Sequence, residues 1–192
     1  IADFTLSNYQ QNFLSKEHPE LVEDVQSAVN SDAVFAPIFG IYVMGSFGSI
    51  SQTSASDLDI WICHQDDLSE QEQQRLAEKT KKISQWASTY HVEMHFYLMT
   101  QQRFRNERYS DPLTKENSGS AQYMLLLEEF YRSAVRLAGK PLLWPHLWVE
   151  DEKQYEAEVA RLVAAGELNP NDWVDFGGLG QFSASEYFGA SL

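Results

Sequence analysis

Three acidic residues in this sequence fall where carboxylates can act together. Asp57 and Asp59 stand two apart in the alternating run Asp57-Leu58-Asp59-Ile60-Trp61-Ile62-Cys63, and residues two apart on a strand project to one face. Glu93 lies in a second alternating run, His91 to Met99. If the two strands are neighbours, three carboxylates meet on one surface. Clustered carboxylates repel one another unless a cation sits among them, and they offer the hard oxygens that Mg²⁺ prefers. Two such ions about 4 Å apart can clamp the attacking and leaving oxygens of a phosphoryl displacement. Upstream, Gly45-Ser46 ends an apolar run and adds what a triphosphate needs: a closely approaching backbone, free N–H groups and a hydroxyl. Taken singly, an Asp-x-Asp or a Gly-Ser is ordinary strand-start or turn chemistry. The ordered combination carries the reading.

The elements that must position these residues follow from periodicity. Ile41-Tyr42-Val43-Met44 reads as a short buried strand, followed by a loop from Ser46 to Ser56 rich in Ser, Thr and Gly. On the strand from Asp57, the residues Leu58, Ile60 and Ile62 take one face, and Asp57, Asp59 and Trp61 the other. Ser69 is the expected N-cap of a helix through about Thr89, with Glu70 and Glu72 in an acidic first turn. The third strand turns Val92, Met94, Phe96 and Leu98 inward, and Glu93, His95 and Tyr97 outward. Residues 101–119 read as a polar surface loop, 120–138 as a long helix ended by Gly139, and 151–165 and 183–192 as further helices. This is an α+β layout with a helical segment over 1–39, a core over 40–119 and a helical extension over 120–192.

Composition narrows the function classes. The 192 residues carry 14 Lys plus Arg against 28 Asp plus Glu, a net charge of −14. A surface that acidic repels phosphate backbones and anionic lipid, which argues against nucleic acid as a partner. No apolar run reaches the roughly 20 residues of a membrane-spanning helix, so no membrane insertion is expected. Cys63 is the only cysteine, which fits a reducing, cytoplasmic setting, and the scattered histidines lack the ligand pattern of a zinc site. The chain opens at Ile1 and stops inside an apparent helix over 185–192, so it reads as a piece of a longer protein.

The order Gly-Ser, Asp-x-Asp and a later third carboxylate resembles the nucleotidyltransferase superfamily of DNA polymerase beta-like enzymes. Longer runs are more specific. Tyr42 to Ser46, Ser56 to His64, Glu129 to Lys140, Asp172 to Leu179 and Glu186 to Leu192 resemble class I adenylate cyclases of the enterobacterial type. The resemblance covers residues 40–192. It implies a small mixed sheet with flanking helices, ATP as substrate, and cyclic AMP and pyrophosphate as products. It implies two Mg²⁺ or Mn²⁺ ions on Asp57, Asp59 and Glu93, with Glu93 the candidate acceptor of the ribose 3′-hydroxyl proton. It also implies a regulatory partner acting on a C-terminal region absent from this chain.

Many relatives in the superfamily carry a basic residue just after Gly-Ser, and Phe47-Gly48-Ser49 supplies none. Positive charge must come from elsewhere. Arg132, Arg136 and Lys140 stand at i, i+4 and i+8, which lines them along one helix face if the helix persists to Lys140. Arg132 and Lys140 are the expected triphosphate contacts beside Gly45 and Ser46, and Arg136 is the expected partner of an acid such as Glu129. Arg103, Arg105 and Arg108 read as a surface patch, and Trp144, Trp148 and Trp173 as packing anchors. Two other functions fit the same residues: transfer of AMP or UMP to a protein or small molecule, and nucleotide binding without turnover.

Overall fold

The computed structural model describes residues 1, 5–30, 36–47, 50–53, 56–108 and 119–179. Two helices, α1 (Asn8–Glu17) and α2 (Val22–Asn30), flank a short 3-10 turn at Pro19–Leu21. Four strands follow in the chain, β1 (Ile38–Met44), β2 (Leu58–His64), β3 (Met94–Met99) and β4 (Val135–Gly139). They form one mixed sheet in the order β3-β2-β1-β4, with β1 antiparallel to both β2 and β4, and β2 parallel to β3. A parallel pair needs a crossover, and α3 (Glu70–Ser88) supplies it. Its start is the expected one: the Ser69 hydroxyl accepts from Glu72 N–H at 3.3 Å, and the Glu72 carboxylate accepts from Ser69 N–H at 3.0 Å. This reciprocal pair satisfies two backbone donors that a helix start leaves open.

The sheet is covered on both faces, by different chemistry. On one, Val43, Ile60 and Ile62 pack with Met94, Phe96, Leu98 and Leu76 of α3, an aliphatic layer. On the other, Trp61 lies at the centre of an aromatic cluster. Its ring stacks on Phe130 at 4.2 Å and meets Phe104 and Phe176 at 5.9 and 6.2 Å. Phe104 belongs to α4 (Gln101–Arg108) and Phe130 to α5 (Gly119–Ser133). After β4 come α6 (Tyr155–Ala164) and a segment whose Val174 and Phe176 return to the same cluster.

Two sequence expectations change here. The helix expected over 120–138 ends at Ser133, and residues 135–139 are β4 instead. Val135-Arg136-Leu137 fits either period, and pairing with β1 settles it: Val43 opposes Val135, and Ile41 opposes Ala138. Gly139 does not cap a helix; its φ of +83° turns the chain off the strand end. With β4 formed, the stripe Arg132, Arg136, Lys140 no longer exists. Second, residues 101–108 form α4 rather than loop, and Arg105 ties that helix down through Glu156 at 3.0 Å and through Asp175. The face shared by Asp57, Asp59 and Trp61 is as expected, and it becomes covered along the strand, because Trp61 is 1% exposed. The helices expected at 69–89 and 151–165 are present as α3 and α6. The one expected at 183–192 lies outside the described residues.

Candidate active site

Strand direction collects the predicted residues. Because β1 runs antiparallel to β2, the end of β1 lies beside the start of β2, and Met44 pairs with Asp59. Because β3 runs parallel to β2, its start lies there too: Asp59 pairs with His95, and Leu58 N–H donates to Glu93 C=O at 2.9 Å. Gly45, Ser46, Asp57, Asp59 and Glu93 are therefore gathered at one end of the sheet. The face is the aromatic one, just past the edge of its helical cover.

Two polar neighbours organise the carboxylates. The His95 Nε2 lies 3.1 Å from Glu93 Oε1 and 3.9 Å from Asp57 Oδ2, so one imidazole bridges the two acids. All three side chains are open to water, 45% for His95, 55% for Asp57 and 73% for Glu93; such exposed pairs contribute little to stability. The Tyr97 hydroxyl donates to Asp59 Oδ1 at 3.4 Å. Desolvation first, and then the Asp59 charge, hold that hydroxyl above the ordinary phenol range, so it remains a donor. The alternation of β3 had already put His95 and Tyr97 on this face. Their role as partners of Asp57, Asp59 and Glu93 depends on the pairing of β2 with β3.

The Gly45 turn differs from the expected phosphate cradle in one respect. Gly45 takes a φ of +85°, and among the described residues a Cβ there would have only Asp59 Oδ2 nearby, at 4.0 Å. Its N–H, expected to be free, donates to the Ser133 hydroxyl at 3.1 Å. That contact brings the C-terminal end of α5 to the site, and Arg132 comes with it. The Arg132 Nε pairs with Glu128 at 2.9 Å on an exposed helix surface.

Lys140 is not brought to the site. Its backbone N–H donates to Phe39 C=O, and its ammonium lies 4.6 Å from the Phe39 ring centre. That places it at the opposite end of β1, about 20 Å from Gly45 at the rise of a strand. Arg136, on β4, pairs with Tyr42 of β1, and its guanidinium reaches Gly139 C=O at 3.4 Å, not Glu129. His64 is likewise at the far end of β2, buried, with its Nδ1 2.8 Å from Gln65 C=O. Of the tryptophans, Trp144 stacks on Tyr131 at 4.9 Å and Trp173 lies against His146, but Trp148 is 82% exposed and anchors nothing.

For a divalent ion the donor chemistry fits: Asp57 and Asp59 present hard oxygens on one strand face, with Glu93 beside them. Among the described residues, no three His, Cys, Asp or Glu side chains already converge into a cage for one. Asp57 and Asp59 are the residues that would hold it. Also among the described residues, no helix is long and apolar enough to cross a membrane.

Comparison with known proteins matches this sequence to a family. The family described as adenylate cyclase NT domain matches residues 1–145, which includes the first 39 residues that the sequence resemblance left out. The chain is 68% identical over 197 residues to an adenylate cyclase of Haemophilus influenzae and 58% identical over 194 residues to that of Pasteurella multocida, in each case over 100% of this chain and 23% of the relative. The adenylate cyclase of Escherichia coli K12 is 49% identical over 81% of this chain and 18% of its own length. The chain thus spans under a quarter of the curated relatives it matches. Among solved structures, the toxin–antitoxin MntA–HpeT is similar at 14% identity with a TM-score of 0.31, over 80% of this chain and 86% of that one, a likeness too slight to carry an argument.

Proposed function

The chain belongs to the adenylate cyclase N-terminal domain family, and from that premise we propose that it carries the site converting ATP to 3′,5′-cyclic AMP and pyrophosphate. The observation that supports this most is the gathering of Gly45-Ser46, Asp57, Asp59 and Glu93 at one end of the sheet, from three strands that are distant in sequence.

The chemistry is an internal displacement. The ribose 3′-oxygen bonds to the α-phosphorus, the bond from that phosphorus to the bridging oxygen breaks, and the electron pair leaves with pyrophosphate. A divalent cation, when bound, supplies charge neutralisation and an acidified hydroxyl. Asp57 and Asp59 would hold that cation, and Tyr97 orients the Asp59 carboxylate. Glu93 accepts the 3′-hydroxyl proton, and His95 fixes its carboxylate by hydrogen bonding. The Gly45 turn lets the chain come close to the phosphates. Arg132, at the nearby helix end, is the cation available to the triphosphate once its pair with Glu128 opens. No side chain needs to become covalently attached.

The test is to incubate the protein with ATP and Mg²⁺ or Mn²⁺, with Asp57→Asn alongside, and to quantify products by chromatography and mass spectrometry. Cyclic AMP and pyrophosphate in equal amounts, lost in the variant, are the expected result. Pyrophosphate without cyclic AMP, accompanied by AMP attached to an acceptor, would replace cyclisation with nucleotidyl transfer. Equal product from Asp57→Asn would remove that carboxylate from the site.

A further inference from the structure

We infer that Ser133 is a positioning residue for the nucleotide turn: its hydroxyl fixes Gly45-Ser46 against the end of α5, and nucleotide affinity depends on that tether. The inference rests on the proposed nucleotide site and adds a residue to it.

The direction of each hydrogen bond at this hydroxyl is determined. Ser133 is the last residue of α5, and its Oγ lies 2.7 Å from Glu129 C=O, one helical turn back. A carbonyl only accepts, so the single hydroxyl proton is committed there. The remaining lone pairs accept the Gly45 N–H at 3.1 Å, across 88 residues of sequence. A serine that bonds back to its own helix is ordinary. One whose oxygen also receives the amide of a left-handed glycine on another element joins two parts of the fold. Here one part is the turn after β1, and the other is the helix end that presents Arg132. Gly45 therefore contributes the shape of the turn rather than a phosphate donor, and the spacing between that turn and Arg132 is set by Ser133. The path continues without slack, since Ala134 alone separates α5 from β4, which pairs with β1 again at Val43.

Threonine and valine have the same shape and differ by the hydroxyl, so Ser133→Thr and Ser133→Val compared in the full chain isolate the bond. Two quantities are read: amide hydrogen exchange at Gly45, and the dissociation constant of ATP in the presence of Mg²⁺, with Asp59→Asn as the reference for loss of the site. The expected result is faster Gly45 exchange and roughly tenfold weaker ATP binding in Ser133→Val, both within about twofold of the wild type in Ser133→Thr, as one hydrogen bond warrants. If Asp59→Asn abolishes binding while the Val and Thr variants bind equally, the tether is overturned and the site stands. If the wild type itself binds no ATP, both are overturned.

Discussion

Gly45 and Gly139 sit at opposite ends of the paired strands β1 and β4, both at positive φ, 85° and 83°. Their surroundings have nothing else in common. A Cβ on Gly139 would drive into the Phe39 carbonyl oxygen and Gly40, and Lys140 beyond it lies on the Phe39 ring. Among the described residues a Cβ on Gly45 would meet only the Asp59 carboxylate, at 4.0 Å, and the Asp57 and Glu93 side chains at the same end of the sheet are more than half exposed. One end of the sheet is closed by packing. The other is held open, with its polar groups tied to each other and to Ser133. The same backbone conformation sits against packed backbone at one end and beside a single carboxylate at the other.

The sharpest way to break this contrast is to put alanine at both glycines. Gly139→Ala combines left-handed strain with a collision against backbone that cannot move aside, and should cost about 3 kcal/mol in chemical denaturation. Gly45→Ala carries only the strain, about 1–2 kcal/mol. Equal losses would mean the two ends are not built differently. Next in size is Asp59→Asn, expected to lower cyclic AMP formation on the order of 100-fold while shifting denaturation by less than about 0.5 kcal/mol. A matching loss of stability would make Asp59 part of the packing.

The closed end should also be the alkali-labile one. Burial, with the Asp66 charge adding, raises the Cys63 thiol, and burial with the Cys63 charge adding raises the Tyr42 hydroxyl. Folding thus favours the neutral forms. Their contribution is fully present below the unfolded thiol's value of 9.0 and is lost as pH climbs from there toward the raised folded-state values, at about 1.4 kcal/mol per pH unit for each group. Denaturation midpoints measured from pH 7 to 11 should be flat and then fall, and Cys63→Ala should fall less steeply. The smallest effect belongs to Lys140→Ala. Loss of its contact with Phe39 should cost under about 1 kcal/mol and leave ATP binding unchanged. Weakened binding would return Lys140 to the site.

The acids were legible in the sequence because period two is a local property. Asp57, Asp59 and Glu93 needed only strand alternation to be assigned to faces, and Ser69 with Glu72 needed only four residues to mark a helix start. What could not be read there depends on pairing. Val135-Arg136-Leu137 carries both helical and strand spacing, and the deciding partner, β1, lies about ninety residues upstream. How far the cover extends along one face of β2 could not be read for a related reason. Along it, Asp57 and Asp59 are succeeded at the same spacing by Trp61 and Cys63, so one face passes from site to core within a single strand, and an averaged polarity hides the change.

The order of the strands in the sheet has a consequence for how the protein is made. β1 is synthesised early, yet its second neighbour β4 and the hydroxyl that accepts Gly45 N–H are among the late arrivals, separated from it by 88 residues in the case of Ser133. A nascent chain emerging from the ribosome can pair β1 with β2 and then add β3, but one side of β1 stays unpaired until residue 139 is out. Long-range pairing of this kind is slow and leaves a strand edge available to wrong partners while it waits. The turn after β1 is therefore completed near the end of domain synthesis, and a nascent chain stopped before α5 would display the acids without the hydroxyl that holds the Gly45 turn beside them.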